Sequence, residues 1–74
     1  MKILISGKEL ISILKKQGFI IIRQVGSHAF LQKEKIRTTI PIHNNKDIGK
    51  GLLSKILKDV GLTKEELQRL RGKK

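Results

Sequence analysis

The chain has 74 residues, a formal net charge of +11 from 17 Lys and Arg against 6 Asp and Glu, and no cysteine. That length allows one domain over residues 1–74, with a marginal core, since chains this short bury only about 60% of their unfolded surface. Disulfides and thiolate chemistry are excluded, and two His with few carboxylates predict no metal site and no cofactor.

The run Ile3-Leu4-Ile5 is too short for a secretory signal, which needs about 7–15 apolar residues, and no segment approaches the ~20 that cross a bilayer. The expected location is the cytoplasm, with no membrane partner. Ser6-Gly7-Lys8-Glu9 reads as a capping box, in which the Ser6 hydroxyl accepts the Glu9 amide and the Glu9 carboxylate reaches back to the Ser6 N–H. Leu10, Ile11 and Leu14 follow at helical spacing, so a helix is predicted over 7–17, with Gly18 as its stop.

Residues 19–25 are rich in β-branched side chains and read as a strand, followed by a short turn at Gly26-Ser27 and a second strand over 28–33. Glu34-Lys35 is a second turn built from poor hairpin residues, and 36–42 is the third strand, placed at a sheet edge by Pro41. His43 to Asp47 is a polar loop. Leu52, Leu53, Ile56, Leu57 and Val60 form one apolar stripe, predicting a helix over 50–60 that stops at Gly61. Thr63-Lys64-Glu65-Glu66 repeats the capping-box logic and opens a short last helix with Leu67 and Leu70. The order is α-β-β-β-α plus a short C-terminal helix. It predicts an α+β fold with a three-stranded antiparallel sheet and both main helices on one face.

Two-residue turns fix the register: Val25 faces His28, Arg23 faces Phe30, and Leu31 faces Thr38. One face then carries Ile20, Ile22, Ala29, Leu31, Ile40 and Ile42 toward the helices; the other carries Arg23, His28, Phe30, Arg37, Thr39 and Pro41. The second face is the expected binding surface. The positive charge favours a polyanion, above all nucleic acid. On the residues alone, His28 is either a turn histidine bonded to a carbonyl or a proton-transfer group. An imidazole with its ordinary pKa near 6.5 can take a proton from a ribose 2′-OH or return one to a leaving 5′-oxygen. Phe30 is either a sheet residue or a stacking platform. His43 is a loop residue or a second proton-transfer group, and Lys46 to Lys50 is a solvated loop or a phosphate contact at a helix N-terminus.

The chain resembles the HicA (YcfA-like) toxins of bacterial and archaeal toxin–antitoxin pairs. The likeness lies in Ser6-Gly7-Lys8-Glu9-Leu10, Gly18-Phe19, Arg23-Gln24-Val25-Gly26-Ser27-His28, Ile40-Pro41-Ile42-His43, Gly51-Leu52, Ile56-Leu57-Lys58 and Gly61-Leu62. The resemblance implies a double-stranded-RNA-binding-like (dsRBD-like) fold and a small endoribonuclease that attacks mRNA without needing the ribosome, and attack by a ribose 2′-OH is expected to require no metal. It makes His28 the catalytic residue. It also implies a HicB-like antitoxin that covers the active site, with operator DNA reached only through that antitoxin. The residues expected to hold RNA are Arg23, Gly26, Ser27, Phe30, His43, Lys46 and Lys50. Two departures stand out: Leu52 follows Gly51 where many members have a capping Thr, and Ala29 follows the motif where many have a second His or another polar residue. The alternatives are a non-catalytic RNA-binding module on the same face and a basic domain that binds an acidic protein.

Overall fold

The computed structural model describes residues 3–42 and 46–72. Ser6 caps helix α1 (Gly7–Lys16), its hydroxyl accepting the Glu9 amide at 3.2 Å. The other half of the expected box does not form. The Glu9 carboxylate instead accepts from Arg71 near the far end of the chain, with Nε at 2.7 Å and Nη2 at 3.2 Å. A two-pronged guanidinium is a stronger partner for a carboxylate than one backbone amide. α1 buries Leu10, Ile11, Ile13 and Leu14 along one stripe.

Three strands follow: β1 (Ile20–Val25), β2 (His28–Lys33) and β3 (Ile36–Pro41), hydrogen-bonded in that order as an antiparallel sheet. Both turns contain two residues, so Val25 faces His28, Arg23 faces Phe30 and Leu31 faces Thr38, as the spacing predicts. The second turn forms with Glu34 at φ 54, a conformation that costs a side chain about 1–2 kcal/mol. Pairing along the whole of β2 and β3 offsets that strain.

Ala29, Leu31 and Ile40 are completely buried on one face of the sheet. Helix α2 (Lys50–Val60) lays Leu53, Ile56, Leu57 and Val60 into the same core as the α1 stripe. Helix α3 (Lys64–Gly72) opens with the full reciprocal box: Thr63 N–H donates to Glu66 Oε1 at 2.9 Å, and Glu66 N–H to Thr63 Oγ1 at 3.0 Å. It adds a fully buried Leu67 to the core. The result is the predicted α+β, dsRBD-like layout, with helices on one sheet face. No helix among the described residues is long and apolar enough to cross a membrane.

One expectation needs correction. Ile20 and Ile22 do not lie under the helices; they are 62% and 46% exposed. A bulge between Ile21 and Arg23 slips the pairing by one residue, so Ile21 faces Leu31 and Ile20 faces Gln32. The helices also pack toward β3, leaving all of β1 exposed. The N-terminal run, to which the sequence pattern assigns no element, is structural. Ile3 and Ile5 are buried, Ser6 bridges to Asp47, and the Ile5 carbonyl accepts the Ile48 N–H at 2.8 Å. The segment read as a polar loop therefore leads into a buried Ile48.

α1 and the sheet meet most closely at Gly7. A Cβ built there falls on the carbonyl oxygen of Pro41, a backbone atom that cannot swing aside. Gly7→Ala is therefore expected to lower the unfolding free energy by about 1–3 kcal/mol, the range of an overpacked core. At Gly51, within α2, a Cβ meets nothing within 4 Å. Gly51→Ala is expected to raise stability by about 0.5–1 kcal/mol. Urea denaturation of both variants checks the pair.

Candidate functional site

The face of the sheet turned away from the helices is assembled by cross-strand rows. Val25, His28 and Pro41 form one row, and Arg23, Phe30 and Thr39 the next. Ile20, Gln32 and Arg37 form a third. Residues in a row, and in alternate rows of one strand, share a face. His28 and Arg23 are therefore diagonal neighbours, with backbones about 7–8 Å apart by sheet geometry. Both are exposed, and Phe30 is half-buried between strands bearing Arg23 and Arg37.

His28 sits at this corner because of the turn before it. Gly26 has φ 58 and Ser27 has no positive φ, the pattern of a type II′ hairpin, which prefers Gly first. The Ser27 carbonyl accepts the N–H of Ile42. That bond ties the turn to the chain leaving β3 and closes the histidine row on both sides. The imidazole starts its strand on a solvated, two-sided corner, reachable by a flexible polymer.

The structure thus brings Arg23, Gly26, Ser27, His28 and Phe30 together. His43 lies outside the described residues. Lys46 is exposed in the segment leading to α2. Lys50 begins α2 and lines a cavity of about 240 Å³ with Ile3, Leu4, Asp47 and Lys64, which shares no residue with the histidine face. α2 starts at Gly49 with no side-chain cap. Leu52, in the first turn of α2, supplies no cap either. Arg37 and Thr39, which the sequence pattern puts on this face though not among the residues expected to hold RNA, stand on it as expected. Strand alternation from the Arg23–Phe30 pair is the signal that finds them.

Chemically, the face offers one imidazole, two guanidinium groups, a hydroxyl and a half-exposed ring. Guanidinium groups bind phosphate oxygens in two-pronged fashion, and an aromatic ring stacks on a base. Among the described residues no group of three or more His, Asp or Glu stands together as a metal cage.

The family model described as the HicA toxin of bacterial toxin–antitoxin systems matches residues 7–62. The match spans α1, the whole sheet and α2, and so includes every described residue of the histidine face. No curated protein matches the chain.

The turn's dependence on Gly26 can be measured apart from any activity. A Cβ at this position meets nothing within 4 Å, so only the positive φ opposes a side chain. Gly26→Ala is expected to cost about 1–2 kcal/mol in urea denaturation, and Gly26→Asn less, because Asn tolerates left-handed backbone.

Proposed function

The chain belongs to the HicA toxin family of bacterial toxin–antitoxin systems, and from that premise we propose that it is an endoribonuclease that cuts mRNA through His28 and needs no metal. The observation that carries this reading is the diagonal pairing of His28 with Arg23 on an open, basic face. A proton carrier and a phosphate-binding cation are the two groups that cleavage at a ribose requires.

His28 takes the proton of the 2′-OH as that oxygen attacks phosphorus. The P–O2′ bond forms and the P–O5′ bond breaks. The 5′-oxygen leaves with a proton from the imidazolium or from water. This sequence yields a 2′,3′-cyclic phosphate and a 5′-hydroxyl, and the nucleophile comes from the substrate, so a metal-activated water is not called for. Arg23 supplies charge to the equatorial oxygens as negative charge builds in the transition state, and Arg37 extends the cationic track along the strand. Phe30 stacks on an unpaired base. Ser27 and Gly26 let the backbone approach the sugar-phosphate chain. The partner of such a toxin is an antitoxin, here of the HicB-like kind, and through it the pair reaches operator DNA. The cytoplasm, where mRNA is exposed, is the expected place of action.

The purified chain is expected to cleave a single-stranded RNA in EDTA and leave cyclic phosphate ends, read by gel and mass spectrometry. His28→Ala should lose 10²–10⁴-fold in rate, the usual worth of a general acid or base, with an unchanged fold by circular dichroism. On the His28→Ala background, Arg23→Ala should flatten the salt dependence of RNA binding by about 0.7 per lost phosphate contact. Saturable, salt-sensitive RNA retention with no scission by the native chain would instead make the protein a binding module. Indifference to RNA would leave a basic domain for an acidic partner.

A further inference from the structure

Strand β1 is the element this chain leaves uncovered. All six of its residues are exposed, and only Arg23 and Gln24 among them are polar. Ile20, Ile22 and Val25 are 62%, 46% and 48% exposed. Among the described residues β1 pairs with β2 alone, so its outer edge offers backbone N–H and C=O groups to another strand. Proteins guard such edges with Lys, Pro or a covering loop. Here a bulge between Ile21 and Arg23 is the one such device in the strand.

Beside β1 lies a groove of about 370 Å³ lined by Ile22 together with Arg23, Phe30, Arg37 and Thr39 of the histidine face, so the free edge and that face are continuous through Ile22 and Arg23.

Three occupants differ in chemistry. RNA is recognised by cations and by flat rings, and of the six residues of β1 only Arg23 offers either. A second copy would set one +11 chain against another, with Arg23 of each β1 brought toward the other, and like charges oppose such a contact. An acidic protein segment meets both demands: apolar side chains for the isoleucines and negative charge for the surrounding Lys and Arg.

We propose that the antitoxin adds an extended segment, apolar and acidic by turns, as a fourth strand along the free edge of β1. This rests on the reading of the chain as a toxin held by an antitoxin, and it assigns the surface that does the holding. β1 runs directly into Gly26, Ser27 and His28. A strand laid on this edge therefore ends beside the catalytic corner, where it can block a polymer without contacting the imidazole.

The test is backbone amide hydrogen exchange of the full chain, alone and in complex with its cognate antitoxin, together with one variant. In the complex, the amides of Ile20 to Val25 are expected to exchange at least tenfold more slowly. Ile22→Asp, on an exposed side chain, should weaken antitoxin binding at least tenfold while the isolated variant cleaves RNA like the native chain. Unchanged β1 exchange in the complex, with Ile22→Asp bound as tightly as the native chain, overturns the proposal. So does protection of β1 by RNA and not by the antitoxin. A chain that cuts no RNA yet shows β1 protected by the antitoxin sinks the ribonuclease mechanism and supports this assignment.

Discussion

The first turn of α1 lies on the carbonyl of Pro41, so close that only glycine fits at position 7. Pro41 is the residue paired with His28. One backbone-to-backbone approach therefore sets both how α1 sits on the sheet and where the histidine row stands. Ser6, one residue earlier, caps the helix and bridges to Asp47, which pins the segment returning from the sheet. Glu9, two residues after Gly7, holds Arg71 and with it α3. The opening residues thus tie the first and last helices to the sheet, and the histidine corner is backed by packing on the opposite face of the sheet.

The register of the sheet was legible because its turns are short. Two residues between strands leave one pairing, and the pairs Val25–His28, Arg23–Phe30 and Leu31–Thr38 follow from it. What defeated the reading was Ile20-Ile21-Ile22. Alternation carries register information only when the two faces differ, and three identical side chains in succession place no penalty on a slip. The bulge falls there. The pairing of Ile5 with Ile48 and of Glu9 with Arg71 was illegible for another reason. Both join residues far apart in sequence, and local patterns do not encode distant partners. The capping box at Ser6 shows the limit of a local motif: the hydroxyl follows it, and the carboxylate leaves it for a stronger ligand.

The site itself divides along the same line. Which residues share the face of His28 was set by strand periodicity and could be read in advance. The separation of Lys50 from that face could not, because the course of the chain between β3 and α2 is not periodic. Its cavity is built from the N-terminal run, the α2 start and Lys64, elements that no spacing rule brings together. The family likeness selects His28 among plausible readings of one turn; the geometry supplies what the likeness lacks, a cation diagonal to it and a route along the strand.

A small basic protein has two surfaces to manage, and their demands conflict. Charge that attracts RNA must be exposed, and a domain this short lacks the helical mass to cover a whole sheet. The chain resolves this by polarising the sheet. β3 and β2 are roofed by helices, the far face carries Arg23, His28 and Arg37, and the shortage of cover falls on β1. An exposed apolar edge would ordinarily invite self-association. Net charge opposes it here, because every copy repels every other through its exposed cations. The feature that keeps the free chain apart from itself is thus the one that selects an oppositely charged partner. Both properties converge on the strand that ends at Gly26, so whatever occupies the edge bears on the turn that positions the histidine.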